Sequence, residues 1–135
     1  MIASPLAGKV LGNDRGQFVM AEWQDPGGVP GQKRLLAPTH LHRSDEEAWY
    51  VLEGALMFRI GHDEVEVRSG SAILVPPGTA HTFWNAKADP ACYLIIMTPK
   101  IHQLIQAIHA MPVRTREALA AVFEEHDSIL LPDQA

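Results

Sequence analysis

Residues 40–54 read HLHRSDEEAWYVLEG and residues 70–85 read GSAILVPPGTAHTFWN. Side chains alternate in direction along a strand, so His40 and His42 project to one side and can grip one ion together. Glu47 adds an anionic oxygen, and the tight Pro76-Pro77-Gly78 turn can deliver His81 from a neighbouring strand. The same parity groups Glu47 with Trp49 and Val51, and His81 with Phe83, so the inferred pocket is a polar cluster walled by Trp49 and Phe83. Met57 and Arg59 alternate with Leu56, Phe58 and Ile60; they are taken as further pocket candidates, Arg59 as a partner for an anionic substrate. The alternative places Arg59 on an exposed sheet face. Glu46 should point away from Glu47, and that divergence excludes a glycosidase-type carboxylate pair.

Working outward, short extended segments separated by Gly, Pro and Asp signals run from Phe18 to Met97 and suggest a sandwich or barrel. The expected strands are 18–23, 35–41, 47–52, 56–60, 64–68, 72–75, 81–85 and 92–97. The breaker-rich run Asp25-Pro26-Gly27-Gly28-Val29-Pro30-Gly31 reads either as a mobile lid or as an ordinary connector. After Pro99 the period becomes helical, with Ile101, Leu104, Ile105, Ile108 and Met111 on one stripe ended by Pro112. Thr115 can cap a second helix carrying Leu119, Val122 and Phe123, and fraying is expected beyond Pro132. This divides the chain into a β domain over 1–100 and a helical extension over 101–135, packed on the barrel or on a partner. The helical stripe is assigned packing and no chemistry. His62, His102, His109 and His126 are read as surface residues.

The 135-residue chain suits one domain with a real core. Its net charge of −5 comes without a basic run, which argues against nucleic acid or an anionic membrane as partner. The N-terminal residues lack the pattern of a leader, and no apolar run is long enough to span a bilayer, so a cytoplasmic location is expected. Cys92 is the single cysteine, excludes an internal disulfide, and reads as a buried structural thiol.

Imidazole with carboxylate suits one divalent transition ion: Fe, Mn, Ni, Co, Cu or Zn. Four protein ligands leave two positions of an octahedral ion open for water, dioxygen or a chelating substrate. A structural zinc site would more often be closed and built from thiolates.

These residues resemble the two motifs of the cupin superfamily, over about Leu35 to Met97. The first reads His40-x-His42, four residues, Glu47, six residues, Gly54; the second reads Gly70, five residues, Pro76-x-Gly78, two residues, His81, three residues, Asn85. Arg34 stands where the first motif usually opens with glycine. The resemblance implies an all-β jelly-roll barrel of two antiparallel sheets with C-terminal helices, and His40, His42, Glu47 and His81 as metal ligands. It implies a structural, hydrogen-bonding Asn85, and a homodimer; outward Tyr50, Leu52 and Trp84 are candidates for that contact or for the inter-sheet core. In layout the chain is also similar to small quercetin-dioxygenase-like cupins.

The leading functional expectation is a metal-dependent dioxygenase acting on a small organic substrate, with Glu47 exchanging a proton with a substrate hydroxyl. A metal-dependent isomerase or lyase, and a non-catalytic module that binds a small ligand or metal, are the alternatives.

Overall fold

Alternation is sharpest in the strand Ala91–Met97, where Ala91, Tyr93, Ile95 and Met97 are buried while the residues between them are only partly so. That period-two pattern places one face of the strand on the core, as a sheet covered on one side requires. In the computed structural model, which describes residues 1–133, ten strands and two helices follow the order β1 (Val10–Leu11), β2 (Val19–Asp25), β3 (His40–His42), β4 (Glu47–Glu53), β5 (Ala55–Ile60), β6 (Asp63–Arg68), β7 (Ala72–Val75), β8 (His81–Trp84), β9 (Ala91–Met97), α1 (Pro99–His109), α2 (Arg116–Glu125) and β10 (Ser128–Leu130).

The strands form two five-stranded antiparallel sheets, ordered β1-β2-β9-β4-β7 and β10-β3-β8-β5-β6. This is the expected jelly roll with two C-terminal helices. Their inner faces meet in a core that includes Val19, Trp49, Val51, Leu56, Phe58, Phe83, Tyr93 and Ile95. Phe58 and Phe83 are register partners across β5 and β8, and their rings stack with centroids 5.3 Å apart. Trp49 meets both rings from the opposite sheet, at 5.1 and 5.5 Å.

Two glycines of the motifs have visible backbone roles. Gly54 lies at φ +74° between β4 and β5, and a Cβ there would come within 2.5 Å of the Pro90 carbonyl oxygen. Gly78 lies at φ +75° in the corner leading to β8, where its N–H donates to the His42 carbonyl at 2.6 Å. That bond ties the corner carrying His81 to the strand carrying the other histidines.

The expected strand 35–41 is largely absent. Leu35 makes one isolated bridge to Trp84, and regular pairing starts only at His40, since Pro38 interrupts the segment and has no N–H to donate. The first residues of the segment 25–31 are tied to the barrel. Gly28 donates to the Lys87 carbonyl at 2.6 Å, and a Cβ there would sit 2.0 Å from the Asn85 carbonyl oxygen. Asp25 clamps the base of this segment through Arg34 at 2.8 Å, Asn85 at 3.2 Å and the Gly27 N–H at 3.1 Å. Asn85 also donates to the Asp89 carbonyl and accepts from the Lys87 N–H, which makes it the hydrogen-bonding hub expected of it.

Of the outward apolar residues, Tyr50 and Leu52 are exposed, but Trp84 is only 4% exposed. Leu35 bridges to it, and the Lys33 ammonium lies 4.3 Å from its ring centroid. Cys92 is half-buried; its thiol donates to Glu22, and burial followed by the nearby carboxylates pushes it up to about 11, so it stays protonated. Among the described residues no helix is long and apolar enough to cross a membrane.

Candidate metal centre and its cavity

His40 and His42 alternate with Leu41 on β3 and therefore share a face, and His40 lies directly opposite His81 of β8. The ring centroids are 4.8 Å apart for His40 and His42, and 4.3 Å for His40 and His81. Glu47 comes from β4 in the other sheet, so the cluster closes the gap between sheets. All four residues are buried, and one donor atom from each lies within 4.8 Å of the others. Glu46 is exposed, as strand parity requires.

Hydrogen bonds behind the rings decide which nitrogens face inward. His40 Nδ1 lies 2.6 Å from the Pro38 carbonyl and His81 Nδ1 lies 2.9 Å from the Thr79 carbonyl. Carbonyls only accept, so both Nδ1 atoms carry the proton. His42 Nδ1 lies 2.7 Å from Ser128 Oγ, whose own proton goes to the His126 carbonyl at 3.1 Å; this Nδ1 is therefore also the donor. Each neutral imidazole is left presenting an Nε2 lone pair to the centre, the arrangement found behind metal-bound histidines.

Glu47 Oε1 lies 3.4 Å from both His42 Nε2 and His81 Nε2. Burial is the largest influence on His40 and pushes it down to about 3, so it stays neutral. Burial pushes the Glu47 carboxyl up, and only an N–H turned toward it by His42 or His81, or a cation at the focus, holds it down. The result is a buried, converging set of donor atoms, three imidazole nitrogens and a carboxylate. His42 Nε2 has no hydrogen-bond partner, a costly state for a buried acceptor unless a cation occupies the focus. Metal bonds of about 2.0–2.2 Å place adjacent ligands roughly 3 Å apart, close to the 3.4 Å separations here. The donor chemistry and spacing fit a single metal site.

The cluster opens into a cavity of about 340 Å³. Trp49 and Phe83 line it, whereas Met57 and Arg59 do not. The pocket assignment of those two is corrected by strand parity: Leu56 and Phe58 take the inner face, and Met57 and Arg59 pair with Trp84 and Thr82 on the outer one. Arg59 bonds Glu64 at 3.2 Å there and borders separate surface depressions.

The helices are not merely external packing. Ile101, Leu104, Ile105 and Ile108 of α1 and Phe123 of α2 line the same cavity, and Phe123 sits 5.2 Å from the His40 ring. The apolar stripe that signalled a packing face thus covers the open end of the barrel. His109, four residues beyond Ile105, is exposed as a surface residue should be, but it also borders the cavity, its ring tilted against Trp23 at 5.5 Å. Ser128 was not a candidate. It lies on an edge strand of three residues, too short for a periodic signal, and its register opposite His42 is what places its hydroxyl.

Residues 30–97 match the family model described as Cupin domain. An uncharacterized protein of Methanocaldococcus jannaschii is 38% identical over 69 residues, covering 51% of this chain; the match spans about half of that relative, 53% of its length. Among solved structures, a sugar phosphate isomerase from a cupin superfamily of Silicibacter pomeroyi is 25% identical with a TM-score of 0.53, over 62% of this chain and 51% of that one. A cupin protein from Bacteroides fragilis aligns over 75% of both chains at a TM-score of 0.53 and 17% identity, a likeness of fold.

Proposed function

Because the chain belongs to the cupin family, and its three histidines turn unprotonated nitrogens toward one buried carboxylate, we propose that it is a metal-dependent enzyme of dioxygenase type acting on a small, largely apolar organic substrate. The observation that carries this reading is the orientation of the cluster, with every Nδ1 proton committed outward and His42 Nε2 left without a partner. His40, His42, Glu47 and His81 are the proposed ligands of one divalent transition ion. Such an ion supplies Lewis-acid polarisation of substrate oxygens and, where redox-active, electron transfer to dioxygen.

The rest follows from the chain's own groups. Trp49, Phe83, Ile105 and Ile108 form an apolar wall that favours an aromatic or alkyl body and excludes bulk water. Asp25 is already held by Arg34, Asn85 and the Gly27 N–H. Proton exchange with a substrate hydroxyl therefore falls to Glu47.

The test is anaerobic purification with elemental analysis, then oxygen uptake against flavonols, diketones and thiols. Metal bound in the wild type and absent from His81→Ala, with substrate-dependent uptake, is the expected result. Turnover that persists without oxygen would instead favour isomerase chemistry, the reading supported by the likeness to the Silicibacter pomeroyi sugar phosphate isomerase.

A further inference from the structure

The cavity has a second polar end. Besides the cluster and Asp25, the ionisable side chains along its charged lining include His109 and Arg114, both exposed at the far side where α1 ends and the connection to α2 begins. Asp25 is neutralised by Arg34. Arg114 has no ion pair or hydrogen bond among the described residues, unlike Arg34, Arg43, Arg68 and Arg116, which are all engaged.

The long axis of α1 separates the two ends. Ile101, at its start, is buried and belongs to the same core as Trp49, whereas His109, at its end, is exposed beside Trp23. A helix rises about 1.5 Å per residue, so these positions stand about 12 Å apart, and Leu104, Ile105 and Ile108 fill the interval with apolar wall. Metal-seeking donors, an apolar middle and an uncommitted guanidinium thus follow one another along a single cavity.

We propose that the substrate is an organic anion with a carboxylate or phosphate monoester at one end, held by Arg114 with His109 beside it, and an oxygen-bearing end directed to the cluster. This rests on the enzymatic reading and specifies its substrate class. Guanidinium presents paired N–H donors that fit either oxyanion, and an exposed cation in an acidic chain of net charge −5 supplies local selectivity for an anion.

The test measures binding by fluorescence of Trp23 and Trp49, both of which line the cavity. The probes are phenylbutyrate, phenethyl phosphate and neutral phenylbutanol, each titrated into metal-loaded and chelator-treated protein, so that direct ligation of the metal by the probe's anionic group is separated from its contact with Arg114. At low salt, chelator-treated wild type should bind at least one anion about five- to tenfold tighter than the alcohol, as one partly solvated ion pair allows. Arg114→Gln should bring that ratio close to one while leaving alcohol affinity intact, and Arg114→Lys should recover part of it. The anion showing the larger ratio identifies the preferred oxyanion. Equal binding of anions and alcohol by wild type, or an unchanged ratio in Arg114→Gln, overturns the proposal. Failure of the enzymatic reading looks different: the protein would retain no metal after loading and would consume no oxygen, whatever the anion ratio.

Discussion

The floor and the roof of the cavity are built in different ways. The floor consists of His40, His42, Glu47 and His81, all on strands and all inside residues 30–97, the part of the chain that matches the Cupin domain model. The roof consists of α1, α2 and the connection between them, which follow Met97 and contribute aliphatic side chains, Phe123 and, from the connection, Arg114. A constellation of polar donors needs rigid positions and specific tautomers, which paired strands and backbone carbonyls supply. A covering surface needs only apolar area and shape, which helices of many sequences supply. The floor thus bears on what kind of chemistry is available, and the roof on which molecule can reach it.

The two regions are nevertheless stitched together. Thr98, which caps α1 by accepting from the Ile101 N–H, donates its hydroxyl to Asp45, two residues before Glu47. Beyond α2 the chain returns as β10, and Ser128 accepts the proton of His42 Nδ1. One histidine of the floor is oriented from the roof's side of the sequence.

The most severe break of the floor is His81→Ala. It removes one of four donors and leaves the 3.4 Å contact to Glu47 empty, so metal affinity should fall by more than the roughly 100-fold typical of losing a supporting residue. Metal content after dialysis measures this, and a circular dichroism spectrum like that of the wild type should show the barrel intact. Full metal occupancy in the variant would remove His81 from the ligand set.

For the roof, the largest effect is expected from Phe123→Ala. Phe123 is 1% exposed and packs against His40, so truncation should cost about 3–5 kcal/mol in denaturant unfolding. A loss below about 1 kcal/mol would mean that α2 is only loosely seated.

These two residues also differ in how far they could be read in advance. Spacing and strand parity were enough to single out His40, His42, Glu47 and His81, because period-two alternation and a Pro-Gly corner constrain direction strongly. Trp49 and Phe83 followed from the same parity. Phe123 was legible only as part of an apolar stripe, and a stripe says that a face is covered without saying by what. Met57 and Arg59 were misplaced because choosing between the two faces of β5 required knowing which face carried Phe58 to its stacked partner Phe83. Ser128 lay beyond reach for a further reason: its role depends on tertiary pairing between residues 86 positions apart.

Ser128→Ala tests the stitch between the regions. The Nδ1 proton of His42 would lose its acceptor, and the ring would be free to rotate or change tautomer. Metal affinity should weaken about 10- to 100-fold, read by competition with a chromophoric chelator, with all four proposed ligands still present. Unchanged affinity would show that His42 is positioned by packing alone, and the floor would then stand independent of the roof.

The smallest effect is expected from Thr115→Ala, which touches only the roof. Its hydroxyl accepts from the Ala118 N–H at 3.1 Å at the start of α2, and losing such a cap costs about 1 kcal/mol. Amide exchange should quicken through the first turn of α2, while metal affinity stays at the wild-type value, because the hydrogen bond from His42 to Ser128 lies at the other end of that helix. If fraying the start of α2 weakened metal binding as well, the helix would be transmitting order to Ser128 as a unit, and the division between a self-sufficient floor and an adaptable roof would have to be redrawn at β10.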